Sequence, residues 1–500
     1  MRQLDILLIH PNASQKIYQG LSTNFAAYEP PIWAAMIARY LLKKGLSVEI
    51  MDCEVMGLTI EQAFEQTKSL NPKIIAAIIY GQQPSASSQN MYGAELLMAR
   101  CKELNIPRVY VGSTPTALPD FILQKDPECF VCAGEGPVTL YTLSQLSDWQ
   151  SDKELSLVPG LCYSRNARVI KNQQATLITD LDGEMPDMAW ELLPIERYRT
   201  SNWHSWTNFD RYVTGPFASI YTSLGCPFKC SFCMINSPFN QGDNRNNRIR
   251  TWGVNQVMST LEFLADKGIT NLKIADEMFV LYPNHFLSIC QGIIDRGLKF
   301  NIWCYARIDT VKEAHLDVLK RAGVNWLGLG IESGNPIVRQ EATKGKFNDL
   351  HIRDVISKIN SFNMCATGNY IFGLPQDTLE TMNETLDLAL SLDTGYANFY
   401  CAMAYPGSQL HRDFSINNPS VLPENNDVGW LGYSQHSYET LNLPTDTLSS
   451  AEVLRFREHA FQTYFSNPPV IKRMTKKFGE AFSVELNKMM GIQLKRKLLE

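Results

Sequence analysis

The 500-residue sequence has no apolar run long enough to cross a bilayer; its longest, such as IIAAIIY (74–80), are strand-sized. Its charge is nearly balanced, apart from a basic stretch in the tail that ends LKRKLLE. Lys and Arg number 46 against 51 Asp and Glu, a net charge of -5, which gives no general pull toward nucleic acid or an anionic membrane surface. It has no internal repeat and no low-complexity stretch. The first residues, MRQLDILLIHPNAS, turn polar too soon for a signal peptide and read as a first strand, so the expected compartment is the cytoplasm. Thiols stay reduced there. Twelve cysteines therefore argue for buried thiols plus a metal or redox site, and against a disulfide framework. No G-x-G-x-x-G follows the first strand, which disfavours a nicotinamide dinucleotide.

What is present is ordinary globular material, 45% apolar and 19% charged, enough for two or three domains. Over residues 1–150, apolar runs of strand length alternate with segments of helical spacing. LDILLIHP, LSVEIMDCE, KIIAAIIYG, PRVYVGS and CFVCAGEG are the strands, and PPIWAAMIARYLLKKG, TIEQAFEQTKSL, MYGAELLMARCKEL, ALPDFILQK and PVTLYTLSQL the helices. The alternation predicts an α/β domain with a Rossmann-like, doubly wound parallel sheet. Ligands in such sheets bind beyond the C-terminal strand ends. Those ends are rich in Gly, Ser and Thr (YGQQPSASS, VGSTPT, AGEGP) and suit a close approach of backbone to a polar cofactor. Cys129 and Cys132 have CxxC spacing but fall in a strand, where side chains three apart face opposite ways, so both read as small core residues.

Residues 151–215 read as a connecting region with a hairpin at GLCYSRNARVIKN. The aromatics of RYRTSNWHSWTNFDRY, Trp203 and Trp206 among them, either line an entrance or pack between domains. Six strand-like pieces then recur, at 217–224, 271–276, 300–306, 326–331, 366–372 and 397–403, with helical stretches between them. This predicts a (β/α)6 partial barrel over 216–420. Residues 421–500 read as a small helical C-terminal domain; its capped amphipathic helix SSAEVLRFREHAFQTYF is expected to pack against the barrel mouth.

The first barrel strand runs into GCPFKCSFC. Cys226, Cys230 and Cys233 are spaced C-x3-C-x2-C, and no fourth ligand is near. One reading is an incomplete zinc knuckle. The other is a [4Fe–4S] cluster, in which three thiolates hold three irons and leave the fourth open for a substrate or cofactor. The motif, with Phe232 before the last cysteine, closely resembles the signature of the radical S-adenosylmethionine (SAM) enzymes. IADEMF (274–279), YARIDT (305–310), GIESG (330–334), NYIFGLPQDT (369–378) and YPGSQL (405–410) resemble, in order, further segments of that family. A doubly wound domain ahead of such a barrel resembles the cobalamin-binding branch.

The resemblance implies three cofactors: a [4Fe–4S] cluster, SAM and cobalamin. It implies Glu277, with Asp276 second, for the SAM amino group, and Arg307 for its carboxylate. Glu332 and Ser333 would contact the ribose and carboxylate, and Gly373 would lie near the adenine; Gln376 stands where Gly is common. For cobalamin it implies the loops bearing Gly81, Gln82 and Ser85, then Gly112, Ser113 and Thr114, then Glu135 and Gly136. The usual D-x-H-x-x-G is absent, since the first loop reads HPNASQK, so no His ligand to cobalt is expected and His10 is not assigned that role. The implied activity is C-methyl transfer to an unactivated carbon of a small-molecule substrate, with electrons from flavodoxin or ferredoxin. A radical rearrangement, cyclisation or oxidation without methyl transfer is the alternative, and a non-catalytic cobalamin- or SAM-sensing protein the alternative of another class.

Overall fold

The computed structural model describes residues 3–80, 84–200, 206–207, 211–212, 215–239, 249–343 and 347–500. Gly81, Gln82 and Trp203 therefore lie outside the described residues, and of the side chains of Ser85 and Trp206 nothing is said.

The first sheet contains β1 (Ile6–His10), β2 (Val48–Asp52), β3 (Ile74–Ile79), β4 (Arg108–Gly112) and β5 (Phe130–Cys132), all parallel, in the order β2-β1-β3-β4-β5. ILLIH and IIAAII are buried at every position, as central strands covered by helices on both faces must be. The hairpin expected in the connecting region, β6 (Leu161–Arg165) and β7 (Arg168–Lys171), extends this sheet antiparallel from β5. Its outer strand, RVIK, is polar enough for a sheet edge. Cys129 and Cys132 are buried, as expected of core residues.

A two-residue ladder joins β8 (Trp206–Thr207) to β9 (Arg211–Tyr212). The second sheet consists of β10 (Phe217–Ile220), β13 (Asn271–Ile274), β14 (Asn301–Arg307), β15 (Val324–Glu332), β16 (Cys365–Phe372) and β17 (Tyr396–Cys401). They are parallel, in sequence order, and form the expected six-stranded partial barrel. The strand expected at 217–224 breaks after Ile220. Beyond the break, Thr222 N–H goes to the Asp276 carboxylate, and β11 (Ser223–Leu224) turns away to pair with β12 (Arg250–Thr251).

The C-terminal helix Ser450–Ser466 meets the barrel mouth only with its first turn, where Val453 packs on Gly373. It runs down the outside of β16 and β17, with Phe456 on Phe372, Tyr464 on Phe399 and Phe465 on Tyr396 at ring separations of 5.0, 5.5 and 5.1 Å. A sheet edge must be covered or blunted, and β17 is an edge. The mouth is faced by the first domain, so the C-terminal ends of the two sheets oppose each other. Trp33 stacks on Tyr80 at 4.2 Å and reaches Tyr221 and Phe239 across the seam. Lys273 of β13 forms an ion pair with Glu29 (3.0 Å), and Ser237 of the cysteine loop donates to the Ser113 carbonyl (3.3 Å).

Candidate active site

The loop that carries the three cysteines is pinned at several points. Asn236 brackets the Cys226 peptide: its Oδ1 accepts the Cys226 N–H (3.2 Å) and its Nδ2 donates to the Cys226 carbonyl (2.8 Å). Ser231 N–H donates to the Ala342 carbonyl, and Leu410 N–H donates to the Ser231 carbonyl. Phe232, the aromatic before the last cysteine, packs between two small apolar clusters that contain Leu374 and Ala402, and Ala404 and Leu410. Its role in the structure is to seat the loop.

Burial pushes the Cys226 thiol up to about 12 and Cys230 up to about 11, so the metal itself must stabilise the thiolates it needs. Three closely spaced thiols with no fourth protein ligand suit a [4Fe–4S] cluster, which three thiolates hold with one iron left open. A cavity of about 520 Å³ reaches Cys230 and Cys233 and is also lined by Phe228, Gln376 and Arg412.

The residues assigned to SAM gather around this loop. Asp276 is fully used: its carboxylate accepts from Thr222 N–H, Thr222 Oγ1 and Ser223 Oγ, each at 2.6 Å. The adjacent Glu277 is the reverse case. Its Oε2 is buried and has no hydrogen-bond partner among the described residues. Burial raises its carboxyl to about 8, against the pull of the Gly225 amide and Arg250. An orphaned buried carboxylate oxygen beside Gly225 and Cys226 fits a ligand that brings its own N–H donors. Arg307 lies over the Phe228 ring at 4.0 Å, forms a double hydrogen bond with Asp309 and places Nη1 3.8 Å from the Cys230 sulfur. Glu332 ends β15 at φ 65°, a strained geometry for a non-glycine residue, and burial raises it to about 8. Its carboxylate lies over Gly330, where a Cβ would collide with it.

Ser333 is turned elsewhere. Its hydroxyl accepts the Asn335 N–H (3.1 Å) and meets Thr385 Oγ1 (3.3 Å), so it frames the turn that holds Glu332. Gly373 and Leu374 donate their N–H groups to Asp377 Oδ2 (3.0 and 3.1 Å), a carboxylate whose part the sequence did not reveal. Inward positions of the barrel (Tyr305, Asn369, Asn398 and Tyr400) are half-buried while their neighbours along the strands are buried. Room is thus left inside the barrel, between the cysteine loop and the first domain.

On the opposing sheet, Gly112 ends β4 where a Cβ would collide with the Ile79 carbonyl. Ser113 and Thr114 follow in the short helix Ser113–Ala117; Thr114 Oγ1 meets Ser88 Oγ (3.1 Å), and Ser85 lies in the helix Pro84–Gln89. Gly136 N-caps the helix Pro137–Ser144. The Glu135 side chain, in the loop expected to meet cobalamin, has a partner of its own. Its carboxylate is committed to Arg250, at 2.6 and 3.1 Å. His10 Nδ1 is hydrogen-bonded to Asp52 (3.0 Å), whose other oxygen accepts from Tyr198. Burial opposes charging His10, but Asp52 outweighs it and holds the imidazole above its usual range.

Comparison with known proteins agrees with this two-domain architecture. Residues 18–144 match the family model of the B12 binding domain, and residues 220–389 that of the Radical SAM superfamily. An uncharacterized methyltransferase of Pyrococcus horikoshii is 26% identical over 479 residues, 94% of each chain. The anaerobic magnesium-protoporphyrin IX monomethyl ester cyclase of Rubrivivax gelatinosus is 24% identical over 92% of this chain and 77% of its own. In structure, the radical S-adenosylmethionine methyltransferase TsrM of Kitasatospora setae, solved with tryptophan and a SAM analogue, superposes with a TM-score of 0.65 at 14% identity, covering 100% of this chain and 97% of that one. That last likeness is one of fold.

Proposed function

We propose, because the chain belongs to the cobalamin-binding radical SAM enzymes, that it is a C-methyltransferase acting on an unactivated carbon of a small molecule. Its cofactors are a [4Fe–4S] cluster, SAM and cobalamin. When bound, the reduced cluster supplies the electron that breaks a SAM carbon–sulfur bond, and cobalamin supplies a carrier for the methyl group. The protein's part is to hold, orient and exclude water. Cys226, Cys230 and Cys233 are the iron ligands of this reading, with Asn236 fixing the first. Glu277 accepts the N–H groups of SAM. Glu332 and Arg307 serve its polar groups from the strand ends beside it. The Gly373 loop, held by Asp377, borders the adenine. The glycine-bearing loops after β4 and β5 carry cobalamin, and the substrate lies in the barrel against Tyr305, Asn369, Asn398 and Tyr400, closed from water by the opposed sheets. Electrons come from a small redox protein such as flavodoxin or ferredoxin, and the compartment is the cytoplasm. Among the described residues no helix is long and apolar enough to cross a membrane.

The observation that carries this reading is the orphaned Glu277 carboxylate beside a three-cysteine loop, at the point where the C-terminal ends of the two sheets face each other. The cyclase relative supports keeping the outcome without methyl transfer as the second reading. A pure sensor is disfavoured by the intact cysteine trio, because sensing needs no open iron. Turnover with methyl-deuterated SAM separates the readings. Methyl transfer yields S-adenosylhomocysteine and 5′-deoxyadenosine in about equal amounts, by the division of labour between cofactors. A rearrangement or cyclisation yields 5′-deoxyadenosine alone and an unlabelled product.

A further inference from the structure

The Arg250 guanidinium occupies the seam between the two domains. It donates to both Glu135 oxygens and to the Ile178 carbonyl (2.6 Å), and it lies over the Phe239 ring at 5.3 Å. The Arg250 and Glu135 side chains are 9% and 6% exposed. The placement of the two partners matters more than the pairing. Glu135 lies between Gly134 and Gly136, in the loop at the C-terminal end of β5. Arg250 is paired with Leu224 in the β11–β12 ladder, and Leu224 leads through Gly225 into Cys226. Arg250 also acts electrostatically on Glu277. One side chain thus ties a glycine loop of the B12-binding domain to the entry of the cysteine loop.

We propose that Arg250 is a positioning residue that couples the two cofactor pockets, so that cobalamin bound at the first domain and SAM bound at the barrel each alter the other's affinity. The inference rests on the cofactor assignment and is independent of whether a methyl group is transferred. A buried bidentate pair transmits displacement because it has one good geometry and a high cost for losing a partner. Coupling of this kind is reciprocal.

The test uses the full-length protein with its cluster oxidised, so that SAM binds without being cleaved. The Kd for SAM is measured by calorimetry with and without hydroxocobalamin. In the wild type the two values should differ by about fivefold or more, and in Glu135→Gln/Arg250→Met, which removes both charges at similar volume, by less than about twofold. Arg250→Lys keeps the charge but not the fork, so it should retain only part of the difference. Should the neutral double variant fail to fold, Arg250→Lys alone decides. A wild type with equal affinities in the two conditions, or a variant with the full wild-type difference, overturns the proposal. Removing the pair could also break methyl transfer; the binding measurement does not depend on it, so a failure of the proposed function leaves this result intact.

Discussion

Glu277→Gln is the most informative single change. In the folded chain without SAM, the Glu277 carboxyl is raised from 4.5 to about 8 by burial. For an acid, a raised folded pKa means that ionisation opposes folding. The penalty is absent below about pH 4.5, where the carboxyl is neutral in both states. It grows as pH rises and is complete above about pH 8. The interval, at ~1.4 kcal/mol per pH unit, sets a ceiling of about 5 kcal/mol, and water entering the site brings the expected cost to ~2–4 kcal/mol. Gln has nearly the same shape and no charge. SAM-free Glu277→Gln should therefore be more stable than the wild type at pH 9, by a few degrees in Tm for a chain of this size, and only slightly so, by about 1 kcal/mol or less, at pH 5. The same change should weaken SAM binding about tenfold or more, the worth of a hydrogen bond to a charged group. Thermal unfolding at the two pH values and calorimetric titration with SAM make the check. Equal Tm at pH 9, or an equal gain at pH 5, would refute the ionisation argument. Undiminished SAM affinity would refute the assignment of Glu277.

Replacing Cys226, Cys230 or Cys233 with Ala should abolish the brown iron–sulfur absorption after anaerobic reconstitution, whereas Cys129→Ala with Cys132→Ala should keep it; iron analysis and visible spectra report both. Asp276→Ala strands a backbone N–H and two hydroxyls, so unfolding measurements should find a loss of about 3 kcal/mol or more. Asn236→Ala frees the Cys226 peptide and should speed loss of iron to a chelator without changing the iron initially bound. With cobalamin bound as Co(II), electron paramagnetic resonance should lack histidine nitrogen splitting, and His10→Ala should leave the spectrum unchanged because His10 is held by Asp52.

The fold was legible because its signals are local. IIAAIIY is apolar at every position, and only a strand covered on both faces wants that. The six barrel strands recur with helices between them, and the cysteines lie within eight consecutive positions. What sequence could not reveal depends on partners far along the chain. Arg250 and Glu135 are 115 residues apart, and neither stands in a pattern that announces the other. That the Glu135 carboxylate, in a glycine-rich loop, is an interdomain anchor shows only in the folded chain. Asp276 and Glu277 are adjacent acids that sequence ranks only by analogy; the hydroxyls of Thr222 and Ser223 engage Asp276, while one Glu277 oxygen has no partner among the described residues. The contact of Ser333 with Thr385 was hidden for the same reason, since Thr385 belongs to a helix that begins 46 residues later. The course of the C-terminal helix followed from the open edge of β17, a property of the assembled sheet and not of the helix.

The central claim is methyl transfer by a radical route. Its most direct test is anaerobic incubation of the reconstituted, cobalamin-loaded protein with a reductant, methyl-deuterated SAM and a metabolite extract of the source cells, followed by mass spectrometry. Methyl transfer yields 5′-deoxyadenosine and S-adenosylhomocysteine in about equal amounts, matched to a metabolite that gains a deuterated methyl group on carbon. Formation of 5′-deoxyadenosine with a changed but unlabelled metabolite, and no matching S-adenosylhomocysteine, would contradict it.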